Sequence, residues 1–192
     1  MKLVGISGSL SLSKRSKTLT AVEKAVGFVR KDPTVDAEII NLSDYDVQFC
    51  DGRDPFLYEG DTKTVIDKIV SADAFIIGTP IYRGSLTGAL KNVFDLIPND
   101  SLRGKVIGFV ATGGTYHHYL AIEHQLNPIA SYFRAHVVPG GVYAHNDHYE
   151  SGSLTDEAIL QRLRTLGESV VSLQRRLSGE AIVTAFPEIP RT

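Results

Sequence analysis

The sequence predicts an α/β fold in which one parallel sheet is covered by helices on both faces. Short apolar segments rich in Val and Ile alternate with longer segments that have helical periodicity. Several of the apolar segments have no polar face, as expected for strands that are buried on both sides. The chain has 192 residues and is 43% hydrophobic, which is enough for one well-buried domain.

Five strands are predicted from the apolar segments. The first is "KLVGI", and the third, "AFIIGTP", is almost entirely apolar. The strands are expected at residues 2–6, 37–42, 74–80, 105–112 and 136–144.

Five helices are predicted between and after these strands. The clearest is "SLTGALKNVFDLIP", where apolar residues recur at helical spacing from Leu86 to Ile97 and Pro98 ends the pattern. The helices are expected at 16–30, 62–72, 86–97, 116–134 and 155–177. Five β–α units with right-handed crossovers favour a three-layer sandwich with the flavodoxin-like strand order 2-1-3-4-5. We assign residues 1–180 to this single domain and 181–192 to a C-terminal tail.

The composition argues against several classes of protein. With 20 basic and 22 acidic residues, the net charge of −2 creates no global field for nucleic acid or an anionic membrane. Cys50 is the single cysteine, which excludes an internal disulfide and a cysteine-rich metal site. There is no run of about 18 apolar residues that would make a membrane span. We expect a cytoplasmic protein with no nucleic-acid partner and no membrane partner.

Ligands of such a sheet bind at the carboxyl ends of the strands, where three polar loops of this sequence meet. The first, "GISGSLSLSKRSKT", combines hydroxyl groups with the unpaired amides of a helix N-terminus, which suits a phosphate monoester. Its hydroxyl donors are Ser9, Ser11, Ser16 and Thr18. It lacks the patterns of a triphosphate loop, a dinucleotide fingerprint and a serine nucleophile. The alternative is an ordinary capped helix after a serine-rich loop.

The second and third loops suit a flat ring. The second, "TPIYRGS", offers backbone groups for the edge of a heterocycle and Tyr82 for its face or rim. The third, "ATGGTYHH", has no side-chain bulk at its centre, so its backbone can approach a ligand closely. The candidates are Pro80, Ile81, Tyr82, Arg83 and Ser85, then Thr112, Gly113, Gly114 and Thr115. The three loops together indicate a flat ligand that carries a phosphate.

These loops resemble the NADPH-dependent FMN reductase family, most closely the FMN reductases of alkanesulfonate-type two-component monooxygenase systems. The resemblance covers residues 1–145 and rests on "GSLSLSKRSKT", "GTPIYRGSLTGALKNVFDLI" and "ATGGTYHHYLAIEHQLNPI". It implies a flavodoxin-like fold, FMN and NAD(P)H as cofactors, and a homo-oligomer. By position, it implies FMN phosphate contacts from Ser9, Ser16, Lys17 and Thr18, ribityl and ring contacts from the second loop, and pyrimidine contacts from the third.

The chain departs from this family in two places. Leu10 and Ser11 stand where many relatives have Pro and Arg, which removes a charge near the phosphate. His124 stands where some alkanesulfonate-type reductases have a tyrosine linked to an irregular helical turn and tetramer contacts, so we do not expect that turn here. The long connection 43–60 is also distinctive. It forms either a lid or partner contact, or an inert surface loop.

The resemblance implies hydride transfer from NAD(P)H to FMN, chemistry that belongs to the cofactors. The protein has to hold two rings in contact and stabilise the charge that reduction leaves on the flavin. We assign that stabilisation to the amides of Gly113 and Gly114, and predict no catalytic acid, base or nucleophile. His117, with His118 beside it, is expected to contact flavin or NAD(P)H. No metal site and no redox role for Cys50 are predicted.

Several functions stay open at this point. The favoured one is an FMN reductase that supplies reduced flavin to a partner monooxygenase. The alternatives are a quinone or azo reductase with tightly bound FMN, a flavodoxin-like electron carrier, and a phosphate-binding protein without flavin. The choice between NADH and NADPH also stays open, with Lys14, Arg15 and Arg83 as candidates for contact with a 2′-phosphate.

A homodimer or homotetramer is expected from two helices with apolar surfaces. One is the helix from Leu86 to Ile97, and the other carries Tyr116, Tyr119, Tyr132 and Phe133. These surfaces either pack subunits together across the flavin edge or cover the chain's own sheet.

Overall fold

The computed structural model describes residues 1–11 and 16–179 of the chain. Lys14 and Arg15, named above as candidates for 2′-phosphate contact, lie outside these ranges, as does the tail 181–192. Within the described ranges, no helix combines the length and the apolar content needed to cross a membrane.

The main sheet is parallel throughout. It contains β1 (Lys2–Ser7), β2 (Asp36–Asn41), β3 (Ala74–Pro80), β4 (Val106–Gly113), β5 (His136–Val137) and β6 (Val142–His145). The strands are ordered β2-β1-β3-β4-β5, and β6 also pairs with β4. This confirms the predicted strand order. Because β1 and β3 are neighbours in the sheet, the loops that follow them lie side by side at its carboxyl edge.

The fifth position of the sheet is divided, where the sequence predicts one strand over 136–144. β5 pairs with the beginning of β4, and β6 pairs with its end. Between them, Pro139 has no amide hydrogen for the ladder, and Gly140 has a φ of 79°, which bends the backbone out of the strand. A short hairpin follows, formed by β7 (Tyr149–Glu150) and β8 (Ser153–Leu154).

Helices cover both faces of the sheet. They are α1 (Lys17–Val29), α2 (Gly60–Ser71), α3 (Gly88–Leu96), α4 (Asn127–Tyr132) and α5 (Glu157–Gly179). One core lies between the sheet and α1 with α5, and the other lies between the sheet and α2, α3 and α4. The chain therefore forms the predicted three layers, with its ligand edge left uncovered by helices.

The segment 116–134 differs from the single helix that the sequence predicts. It begins with a 3₁₀ turn (Tyr116–His118), passes through a π turn (Ile122–Leu126) and ends in α4. The expectation that no irregular turn occurs around His124 is therefore wrong.

Pro128 explains the π turn. It has no amide hydrogen to donate to the carbonyl of His124, and in a regular α-helix its ring would collide with that carbonyl. The amide of Asn127 instead donates to the carbonyl of Ile122, five residues back. The proline therefore gives a physical reason for the wide turn.

The apolar stripe of α3 covers the chain's own sheet. Leu90, Val93 and Phe94 are buried in the core. Of the aromatic residues on the second predicted surface, Phe133 is buried, whereas Tyr116, Tyr119 and Tyr132 are exposed. A contact between subunits through either helix stays a prediction.

The connection 43–60 is tied to its neighbours by hydrogen bonds. The amide of Cys50 donates to Asn92 Oδ1, and Asn92 Nδ2 donates to the carbonyl of Gln48, both at 2.9 Å. The buried Tyr58 closes the segment, because its hydroxyl donates to Asp51 Oδ1 at 2.9 Å. A groove of about 320 Å³ lies between this connection and the start of α3. A role as lid or partner contact stays a prediction.

Candidate functional site

The three predicted loops meet at one cavity at the carboxyl edge of the sheet. Its volume is about 430 Å³, within the range of about 300–1,000 Å³ that is usual for small-molecule sites. The lining residues are Ser9, Ser11, Ser16, Lys17, Thr18, Pro80, Ile81, Tyr82, Thr112, Gly113, Gly114 and Asn146. Most of the predicted site residues therefore share one cavity.

The amino end of α1 forms the part of the cavity that suits an anion. Ser16 caps this helix, and its Oγ accepts the amide hydrogen of Leu19 at 3.3 Å. The first amides of a helix have no intrahelical acceptor and lie at the positive end of its dipole. The first turn of α1 carries no acidic residue and begins with Lys17, the reverse of the charge pattern that stabilises an isolated helix. A bound anion would balance this excess of positive charge.

Lys17 is held beside the cavity by side chains that follow β6. Its Nζ donates to Asn146 Oδ1 at 2.8 Å and lies 5.3 Å from the centroid of the Tyr149 ring. The Tyr149 hydroxyl donates to the carbonyl of Lys17 at 2.9 Å. Burial raises the pKa of Tyr149, so its hydroxyl remains protonated at physiological pH.

Thr18 and Thr112 join the first loop to the third. Their Oγ1 atoms are 2.6 Å apart, and both residues are buried. The contact fixes the start of α1 relative to the end of β4. It uses one of the two hydroxyl protons, so the other remains for donation.

A tight hairpin forms the mouth of the cavity after β3. Tyr82 and Ser85 exchange backbone hydrogen bonds of 2.9 and 3.1 Å around Arg83 and Gly84. These two central residues have φ values of 54° and 84°, as a type I′ turn requires. Tyr82 lines the cavity and is 59% exposed. Arg83 and Ser85 lie outside the lining, and the Ser85 hydroxyl donates to Gln125 Oε1 at 3.1 Å.

The third loop lies in close contact with side chains of β6 and the turn after it. A Cβ on Gly113 would overlap the phenol oxygen of Tyr143, and a Cβ on Gly114 would lie 2.9 Å from Asn146 Nδ2. The Tyr143 hydroxyl donates to the carbonyl of Thr115 at 2.6 Å. Burial raises the pKa of Tyr143, which keeps this donor protonated. Internal packing against Tyr143 therefore disfavours any side chain at position 113, whereas a side chain at position 114 requires only a shift of the Asn146 amide.

Thr115 and His117 lie outside the cavity lining. Thr115 Oγ1 accepts the amide hydrogen of His117 at 3.3 Å, and the His117 side chain is exposed. Tyr116, between them, stacks on the buried His145 with ring centroids 4.1 Å apart. The expected contact of His117 with flavin or NAD(P)H stays a prediction.

The sequence analysis missed Asn146, Tyr143 and Tyr149. Asn146 follows β6, so the rule that ligands bind at the carboxyl ends of strands applies to it as well. The two tyrosines have no comparable local signal. Their partners, Thr115 and Lys17, are 28 and 132 residues away along the chain.

The cavity suits binding and orientation rather than acid–base chemistry. Among the described lining residues, Lys17 carries the formal charge, and none is a carboxylate or a histidine. Within residues 1–11 and 16–179, no three His, Cys, Asp or Glu side chains are grouped as a metal site would need. One end of the cavity offers hydroxyls and a cation, and the other offers apolar and aromatic surface.

Several known proteins with related sequences are named as flavin reductases. The profile of the family described as NADPH-dependent FMN reductase matches residues 1–149. An NAD(P)H-dependent FAD/FMN reductase of Geobacillus thermodenitrificans is 50% identical over 184 residues, which cover 95% of this chain and 98% of the relative. An FMN reductase (NADPH) of Pseudomonas aeruginosa is 31% identical over 172 residues, covering 90% of this chain and 91% of the relative.

A solved structure extends the likeness to the fold. The apo form of an NADH:FMN oxidoreductase (EMOB) has a TM-score of 0.76 and 27% sequence identity to this chain. The match covers 94% of this chain and 91% of the other.

Proposed function

Because the chain belongs to the NADPH-dependent FMN reductase family, it is an enzyme that reduces FMN with NAD(P)H, and we propose that FMN binds in the cavity between the three loops. The observation that carries this assignment is the convergence of hydroxyls, an ammonium group and the first turn of α1 on one cavity. A phosphate monoester is the group that such a donor set suits.

The phosphate is proposed to bind at the end formed by the first loop. Hydroxyls of Ser9, Ser11 and Ser16 supply donors there, and Lys17 supplies the positive charge. The amide of Ser11 donates to Ser9 Oγ at 3.2 Å, which holds these two residues together. Ser16 can both cap α1 and line the cavity, so the two interpretations of its hydroxyl are compatible.

The ring is proposed to lie between the second and third loops. FMN, when bound, supplies the ring that accepts hydride from the nicotinamide. The buried Ile81 provides apolar surface, and Tyr82 borders the mouth. Backbone amides of Gly113 and Gly114 are proposed to donate to the pyrimidine edge and stabilise its developing negative charge. Asn146 also lines the cavity, where its side chain accepts a hydrogen bond from Lys17.

We further propose that the flavin is exchanged rather than retained, and that reduced flavin passes to a partner monooxygenase. Tyr82 is more than half exposed, and its hairpin contributes little to the core. Such a mouth can open at small cost in free energy, which supports exchange of the flavin.

The deciding experiment is NADH and NADPH oxidation by the purified protein while free FMN is titrated from zero to excess. Saturable dependence on added FMN is expected for an exchanging reductase. Full activity with copurified FMN, with a response only to added quinone or azo dye, would instead assign a reductase with tightly bound flavin. Absence of oxidation in both conditions would contradict the proposed use of the cavity.

We also propose that the enzyme is a cytoplasmic homo-oligomer. The exposed Tyr116, Tyr119 and Tyr132 support a subunit contact near the π turn. The single cysteine is consistent with a reducing compartment. Light scattering at micromolar protein is expected to show a dimer or tetramer, and a monomer alone would contradict the assembly.

A further inference from the structure

The hairpin Tyr82–Ser85 is attached to the molecule at a point outside the flavin cavity. Tyr82 lines the cavity, whereas the Ser85 hydroxyl is directed to Gln125 Oε1, 3.1 Å away. Because Tyr82 and Ser85 exchange two backbone hydrogen bonds, a displacement of Ser85 also displaces Tyr82. The hydrogen bond between Ser85 and Gln125 therefore restrains Tyr82, which lines the cavity.

Gln125 is a firm support because the π turn that carries it is anchored in the core. Ile122 and Leu126 are both buried, whereas Gln125 between them is exposed. Ile122 also packs on the backbone that separates β5 from β6, since a Cβ on Gly141 would lie 2.8 Å from Ile122 Cδ1. The π turn thus presents an amide from a fixed base to a hairpin that is largely exposed.

The register of the π turn decides which side chain makes this contact. In a regular α-helix each residue is rotated by about 100° from the one before, so one extra residue in a turn redirects the side chains around it. The π turn keeps Ile122 and Leu126 in the core while Gln125 reaches Ser85.

We propose that Gln125 is a positioning residue that holds Tyr82 at the mouth of the flavin site and thereby slows the release of FMN. The inference rests on the proposed function, because Tyr82 affects flavin only if flavin binds in this cavity. Loss of the Ser85–Gln125 hydrogen bond frees the hairpin to move outward, so bound FMN leaves faster.

Three variants isolate the contact. Gln125→Leu replaces the acceptor with a shorter apolar side chain, and Gln125→Glu keeps an acceptor oxygen for Ser85. Glu123→Leu makes the same kind of change at an exposed residue of the same turn. FMN release is followed by the rise of flavin fluorescence after dilution, and thermal stability is measured on the same samples. Ser85→Ala, alone and combined with Gln125→Leu, completes a double-mutant cycle.

Gln125→Leu is expected to release FMN about three to ten times faster, the range that corresponds to one hydrogen bond. Gln125→Glu and Glu123→Leu are expected to stay within about twofold of the parent. The combined variant is expected to be no faster than either single variant, because both remove the same bond. Equal release by the Leu and Glu variants of Gln125, or additive effects in the cycle, would overturn the proposal.

A variant at the other end of the cavity separates failure of this inference from failure of the proposed site. If Lys17→Gln weakens FMN binding while Gln125→Leu leaves release unchanged, the flavin site stands and the positioning role is wrong. If neither variant alters FMN binding, the cavity is not the flavin site, and the positioning role is overturned with it.

Discussion

The two ends of the cavity are held by different kinds of contact. At the phosphate end, Thr18 pairs with Thr112, 94 residues away, and both are buried. Lys17 also donates to Asn146, 129 residues away, although this hydrogen bond is solvent-exposed. At the ring end, Tyr82 is exposed and its hairpin is supported by the solvent-exposed bond between Ser85 and Gln125.

Under the proposed binding mode, this difference makes the phosphate end the anchor of the flavin and the ring end the part that adjusts to it. Hydrogen bonds among buried groups are costly to break, because the separated partners lose contact with both water and protein. An exposed bond is replaced by water, so the hairpin can open at small cost. An enzyme that exchanges its flavin needs both properties: a specific anchor and a mouth that opens.

The largest loss of stability and activity is expected from Gly113→Ala, because Gly113 lines the cavity and packs against Tyr143. The new Cβ would overlap the Tyr143 hydroxyl, and such overpacking costs about 1–3 kcal/mol. The melting temperature is expected to fall, and FMN-dependent oxidation of NAD(P)H is expected to drop by more than about tenfold.

Tyr143→Phe supplies the control for that substitution. In the double variant the phenol oxygen is gone, so stability should recover in part, although the hydrogen bond to Thr115 is also lost. A double variant no more stable than Gly113→Ala would show that the clash is not the cause.

Lys17→Gln is expected to have the next largest effect, a loss of binding affinity that is confined to ligands with a phosphate. Hydrogen bonds to charged groups are worth about 1.5–3 kcal/mol, so FMN should bind about 10–100 times more weakly. Riboflavin, which lacks the phosphate, should bind as it does to the parent. Fluorescence titration with both flavins makes the comparison, and Lys24→Gln, an exposed position on α1, is the matched control. Equal losses of affinity for FMN and riboflavin would contradict the proposed contact between Lys17 and the phosphate.

Tyr82→Ala is expected to lower flavin affinity by a smaller factor, without distinguishing FMN from riboflavin. FMN and riboflavin should weaken alike, by less than about tenfold, because the side chain borders a ring that both share. The KM for NAD(P)H should rise as the mouth widens. Phe56→Ala, which removes an exposed aromatic side chain outside the cavity lining, is the control. A loss restricted to FMN would place Tyr82 at the phosphate instead.

The smallest effect on flavin affinity is expected from Glu38→Gln, which removes an ion pair remote from both ends of the cavity. Hydrogen bonding from Lys68, then from Lys2, lowers the pKa of Glu38 below its usual value near 4.5. Its contribution to stability is therefore present above that value and is lost as the pH falls through the lowered pKa. At neutral pH the variant should be less stable by no more than about 1 kcal/mol, with FMN affinity unchanged.

The pH dependence gives the check on this last variant. The difference in unfolding free energy between parent and Glu38→Gln should begin to shrink below about pH 4.5 and should vanish once the pH falls through the lowered pKa of the folded carboxyl. A difference that stays constant across that range would mean that the ion pairs with Lys68 and Lys2 contribute nothing to stability.

By itself, the sequence determined the order of the elements, the strand order of the sheet and the chemistry of the three loops. These follow from short-range causes. Burial on both sides makes the strands apolar, helical spacing marks the helices, and polar loops must follow the strands at one edge. The sequence alone therefore predicts that Ser16, Lys17 and Thr112 lie near one another.

Only the tertiary structure decided which neighbours hold those loops in place. It divided the fifth strand, directed Ser85 to Gln125 rather than to the cavity, and brought Asn146 and Tyr149 to Lys17. These contacts join residues 40 to 132 positions apart. No local pattern encodes such a pair, because the contact forms only after sheet order and packing have brought distant loops together.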